Sequence, residues 1–140
     1  MSNMQHSLFS LLIVIPGLLL SVGTAVAQPL KVPTGAALQV EQGASLYQQH
    51  CALCHGADGR GGGGFPRLIW GPGHALTKFG SARGLYEYVQ LMMPFDDPQK
   101  MTDAEKMAVV AFMLARNGNW KADAKNATLD LAQSGNVAIK

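Results

Sequence analysis

The stretch Cys51-Ala52-Leu53-Cys54-His55 constrains this chain more than any other part of it. On a helical turn, sulfurs at i and i+3 lie on one side and suit covalent attachment to neighbouring edges of a flat porphyrin. The histidine that follows is placed to turn under the iron as an axial ligand, so the spacing is that of c-type haem attachment. Three other chemistries use a cysteine pair at this spacing. A zinc site needs further Cys or His ligands, and the chain has no third cysteine. A thioredoxin-like dithiol needs a βαβ context that the glycine-rich surroundings do not offer. A structural disulfide would leave the haem motif broken. The pattern points to one covalent haem c, held by Cys51 and Cys54, with His55 on the iron.

The N-terminus reads as an export signal. Leu8 to Val22 are apolar apart from Ser10, Pro16, Gly17 and Ser21, and they lead into Ala25-Val26-Ala27, an A-x-A pattern for cleavage before Gln28. The expectation is a signal peptide over 1–27 and a periplasmic mature protein. The usual positive residues near the start are replaced by His6 alone. An uncleaved membrane anchor is the alternative, although the apolar run is short and broken by Pro16-Gly17. No cysteine stands at the cleavage point, which argues against lipoprotein processing. Because the leader carries no Asp, Glu, Lys or Arg, the formal charge of +2 belongs to the rest of the chain, where haem propionates would nearly cancel it. This balance gives no support for nucleic-acid binding. What remains after the leader is one small domain with a thin core, which the apolar faces of a haem would supplement.

Residues 28–36 read as an extended lead-in, 37–118 as the haem domain and 119–140 as a C-terminal extension. A helix is expected from Ala37 to His50, with Gly43, Leu46, Tyr47 and His50 on one face. Glycine in mid-helix costs about 1 kcal/mol against alanine, so Gly43 suggests a second backbone passing close by. The run Gly56–Gly64 cannot hold a helix; it is expected to wrap closely around a planar cofactor. In Phe65-Pro66-Arg67-Leu68-Ile69-Trp70, the Pro66 carbonyl can accept the Nδ1–H of His55, and Leu68 can pack on the haem. Arg67 and Trp70 are candidates to hold a propionate or are ordinary rim residues. Gly71–Phe79 reads as a loop whose His74 could in principle reach the iron. A helix from Ser81 is stopped by Pro94, with Leu85, Tyr88, Val89 and Met92 on its apolar stripe. Met93, at the exit of that helix, can turn its thioether toward the iron. Thr102-Asp103-Ala104-Glu105 is a capping box opening a broad apolar helix that Arg116-Asn117-Gly118 ends. Beyond it the chain is more polar, and an ordered start near Trp120 with a loose end is expected.

Taken in order, these features resemble the class I cytochromes c, over roughly residues 38–118. The resemblance implies an all-α fold of about three to five helices around one haem c. It also implies that the first and last helices cross at Gly43 and Tyr47 on one side and Val109 and Phe112 on the other. It makes Met93 the distal ligand opposite His55. The chain departs from the family pattern in placing Met92 beside Met93 and Phe112 where tyrosine is common. The stretch Leu85–Gly118, with Met93-Pro94-Phe95-Asp96, is similar to cytochrome subunits of periplasmic sulfite and other sulfur-compound dehydrogenases, and to cytochromes that serve quinoprotein alcohol dehydrogenases. An iron filled on both sides has no position for substrate. The resemblance therefore implies a single-electron carrier with no catalytic residue, whose partners are a periplasmic dehydrogenase and a further cytochrome or terminal oxidase, and which meets a membrane only if the leader is uncleaved. A peroxidase-like enzyme or a haem-based sensor would instead need an open distal position; no carboxylate constellation accompanies His74 for such a role.

Overall fold

The computed structural model describes residues 34–69, 75–123 and 127–140. The leader over 1–27, the lead-in up to 33, Trp70 and His74 lie outside the described residues. Among the described residues, five α-helices and two short 3-10 turns make up the regular structure, with no strand. Helix α1 spans Gly35–His50 and α2, Ala52–His55, follows Cys51 at once. Helix α3 spans Ala82–Met92 and α4 spans Asp103–Arg116, with α5 at Leu131–Ser134. The 3-10 turns are Ala75–Phe79 and Pro98–Lys100.

Helix α4 is built as its sequence dictates. The Glu105 amide donates to Thr102 Oγ1 at 3.3 Å, while Thr102 N–H donates back to Glu105 Oε2 at 2.8 Å, so two orphan donors of the first turn are satisfied reciprocally. Asn117 caps the other end and Gly118 takes the positive φ that closes it. Every residue from Lys106 to Leu114 except Phe112 is buried, because the helix is covered on several sides. One of those covers is α1. A Cβ built on Gly43 would run into the Ala108 carbonyl oxygen and stand 2.9 Å from Phe112 Cβ. The glycine is what lets the two backbones touch, as its place in mid-helix implies. One turn on, the Tyr47 and Phe112 rings pack with centroids 5.4 Å apart. Tyr47, Val110 and Leu114 are fully buried, each stabilising the fold by roughly 1.5–3 kcal/mol on burial.

Two expectations are overturned. The stripe of α3 does not run through Met92, which is 46% exposed; the buried face is Ala82, Leu85, Tyr86 and Val89. At about 100° per residue, Met93 lies about 30° from the centre of that face and Met92 about 70° away. The end of the chain is not loose either. Leu129, Ser134 and Ile139 are buried, and the tail is tied down through backbone. The Gln39 amide bonds both Leu129 groups, at 2.7 and 2.8 Å. Ile139 N–H donates to Gly80, and Ala82 N–H donates to Val137. These ties join residues 127–140 to α1 and to the start of α3.

Candidate cofactor site

His55 ends α2 and is buried. Its Nδ1 lies 3.0 Å from the Pro66 carbonyl, which can only accept, so Nδ1 carries a proton and, in the neutral imidazole, the lone pair is on Nε2. The loop between them is held from both ends. Tyr47 Oη donates to the Gly56 carbonyl at 3.1 Å, and Gly61 N–H donates to the His55 carbonyl at 2.8 Å. Burial holds the Tyr47 phenol well above its ordinary pKa, with smaller contributions from Cys51 and Asp58, so it stays a donor.

The glycines of this loop do not do what their abundance suggests. None of Gly56–Gly64 lines the cleft described below. Gly59, at φ +70°, lies against Ile69, whose carbons would be 2.7 Å from an added Cβ; Gly61, at φ +76°, lies against Phe65, whose carbonyl oxygen would be 2.6 Å from one. The Gly59 carbonyl accepts from both Leu68 and Ile69. The glycines let the loop fold back on itself, and that fold presents Pro66 to His55.

His55, Pro66 and Leu68 form part of an apolar cleft that is open to solvent. The 3-10 turn contributes Leu76 and Phe79, α3 contributes Leu85, Tyr88 and Val89, and α4 contributes Met113. Met93 lines the cleft too. It leaves α3 in an extended conformation, its N–H still donating to Val89 at 3.0 Å. Of the two adjacent methionines only Met93 faces the cleft. The loop wall is fastened to α4 by Asn117, whose Nδ2 donates to the Leu68 and Met113 carbonyls, each at 2.9 Å.

Cys51 and Cys54 are free and half-buried. Burial pushes the Cys51 thiol up to about 11, against a lowering by Lys100, with Cys54 raising it further. A redox dithiol works through a thiolate of depressed pKa, so the shift here has the wrong sign for that chemistry. The residues do fit a haem: apolar walls, an imidazole with its second nitrogen uncommitted, a thioether on the same cleft and two unpaired thiols just before the histidine.

The structure brings His55, Pro66, Leu68 and Met93 together. Arg67 is exposed and does not line the cleft. Lys78 does, with its Nζ 5.0 Å from the Phe79 centroid and 5.3 Å from that of Tyr88. The sequence reading missed Lys78, Leu76 and Phe79 because a 3-10 turn carries no lasting period. The cleft role of Leu85 and Val89 was within reach: with Met93 they follow one another at i, i+4 and i+8.

The family described as cytochrome C oxidase, cbb3-type, subunit III matches residues 38–113. Among solved structures, the chain is similar to the sulfane dehydrogenase SoxCD from Paracoccus pantotrophus, at 30% identity and a TM-score of 0.58, covering 71% of this chain and 52% of that one. It also matches the thiosulfate dehydrogenase TsdBA from Marichromatium purpuratum, at 30% identity and a TM-score of 0.49, over 61% of this chain and 19% of that one. The chain thus spans about half the length of the sulfane dehydrogenase chain it matches. No curated protein sequence matches.

Proposed function

The chain belongs to the cytochrome C oxidase, cbb3-type, subunit III family of c-type cytochrome domains, and from that premise we propose that it is an exported single-electron carrier with His55 and Met93 on its iron. One observation supports this reading above the others. His55, with Nδ1 committed to Pro66, and Met93, from a separate segment, line the same apolar cleft.

When bound, haem c supplies an Fe(III)/Fe(II) couple. Cys51 and Cys54 would hold it through thioethers, each S–H adding across a vinyl group. The Pro66 carbonyl orients His55 and, by accepting its Nδ1–H, makes the imidazole a stronger donor. The Met93 thioether is a soft ligand that favours the reduced state. Leu68, Leu85, Val89 and Met113, which line the cleft, would keep water from the group.

Redox proteins are the partners of such a domain. The likeness to the sulfane dehydrogenase supports a sulfur-compound dehydrogenase as donor, with a second cytochrome or terminal oxidase as acceptor. An alcohol dehydrogenase remains the competing donor. The A-x-A pattern at Ala25–Ala27 supports a periplasmic location after cleavage; among the described residues no helix is long and apolar enough to cross a membrane.

The test is the Met93→Ala variant of the haem-loaded chain. The wild type is expected to be low-spin in the ferric form with a sixth ligand that carbon monoxide displaces poorly when reduced. The variant is expected to turn high-spin or to take up external ligands readily. A variant with the wild-type spectrum refutes Met93 as ligand, and a wild type with an open sixth position refutes the carrier reading.

A further inference from the structure

Lys106 is used by nothing described so far. It lies on α4 between Glu105 and Met107 and is only 2% exposed, while the other buried residues of that helix are all apolar. Placing a lysine amine out of water is costly unless its donors are met. Its Nζ donates to the Gln90 carbonyl at 3.0 Å. Gln90 is in the last turn of α3, whose final four carbonyls have no partner within the helix. The negative end of a helix is also where a lysine is favoured. Three residues further on stands Met93, carried out of the helix by this same turn.

We propose that Lys106 is a positioning residue: by holding the last turn of α3 against α4 it fixes where the Met93 sulfur stands on the cleft. The proposal rests on Met93 being the iron ligand. A lysine stem also fills space, so the packing and the hydrogen bond must be separated. Lys106→Met keeps most of the stem and removes the donor. Val110→Ala thins the same helix at a fully buried position that does not line the cleft, and serves as the control for loss of stability alone.

The experiment uses the full haem-loaded chain in the ferric form, titrated with imidazole, which competes with the thioether for the iron, alongside thermal unfolding. Lys106→Met is expected to bind imidazole about five- to tenfold more tightly than wild type, the factor that one lost hydrogen bond carries. Val110→Ala is expected to unfold earlier while its imidazole affinity stays within about twofold, since a cavity away from the cleft leaves the α3 exit in place. Wild-type affinity in Lys106→Met overturns the proposal, and so does an equal rise in Val110→Ala. If Lys106→Met does not load haem, Lys106→Gln, too short to reach Gln90, takes its place with the same expected rise and the same overturning result. Met93→Ala separates the two readings: unchanged imidazole affinity there removes the ligand assignment itself and the proposal with it, whereas a large rise there beside an unchanged Lys106→Met removes only the role of Lys106.

Discussion

Gly43→Ala sets two well-measured effects against each other. In an exposed helix the change would stabilise by about 1 kcal/mol, because glycine is the poorer helix former. Here the new methyl would overlap the Ala108 carbonyl and stand 2.9 Å from Phe112 Cβ, and the carbonyl cannot rotate away. Helices α1 and α4 must separate, which strains the 5.4 Å packing of Tyr47 on Phe112 just along the contact. Over-packing of this kind costs about 1–3 kcal/mol, and backbone as the obstacle puts it at the upper end. The net is a loss of about 2 kcal/mol, or a fall in melting temperature of about 8 °C or more for a domain of this size. Thermal unfolding of the haem-loaded protein, followed both by helix circular dichroism and by haem absorption, measures it. Ser45→Ala, exposed on the same helix, should leave the midpoint within about 2 °C. A Gly43→Ala protein as stable as wild type, or more so, would refute the close approach of the two helices.

The Glu105 carboxyl is held below its ordinary range, chiefly by the Thr102 backbone N–H and then by its hydroxyl. A depressed folded pKa means stability present above the unfolded value and lost as pH falls through the folded one. Glu105→Gln should therefore lower the urea midpoint at about pH 7, and the difference should shrink as pH falls through the depressed folded value, where Glu105 too loses its charge; a difference that stays the same from neutral pH down through the acid range would refute the cap. Gln39→Ala removes both bonds that hold Leu129, worth together about 2 kcal/mol, so exchange of the Leu129 amide should quicken about 30-fold if the tail opens locally. Unchanged exchange would show that burial of Leu129 and Ile139 and the backbone bonds at Gly80 and Val137 hold the tail without Gln39.

The parts of this molecule that were legible in its sequence are those in which one residue type has one physical use. The cysteines and histidine at 51–55, the glycine at 43 inside a helical pattern and the capping box at 102–105 each point to a single arrangement. The tail was illegible because its anchors are backbone groups of Gly80, Ala82 and Leu129 and buried residues at irregular spacing, which leave no period. The glycine-rich loop was legible as a loop but misleading in purpose, since composition cannot say whether a glycine makes room for a cofactor or for Ile69. Lys106 was hidden by its own type: a lysine on a helix reads as solvated, and only the passage of α3 over it makes a buried donor useful.

These particulars converge on α4. Along one face or another this helix meets the α3 exit at Lys106, α1 at Ala108 and Phe112, the cleft at Met113 and the loop wall at Asn117. The two proposed iron ligands come from segments far apart in the chain. One is oriented by Pro66, two residues from the Leu68 carbonyl that Asn117 holds; the other leaves a turn that Lys106 holds. Eleven residues of helix, about 16 Å, separate those two fastenings. A helix of that length is stiff on the scale of a bond, so the spacing between the two walls is set by a rod rather than by the loops that follow His55 and Met93. For an electron carrier that is the useful arrangement. A site whose ligands keep their places in both oxidation states has little to rearrange when the electron arrives, and the rigidity comes from an element that the sequence caps at both ends.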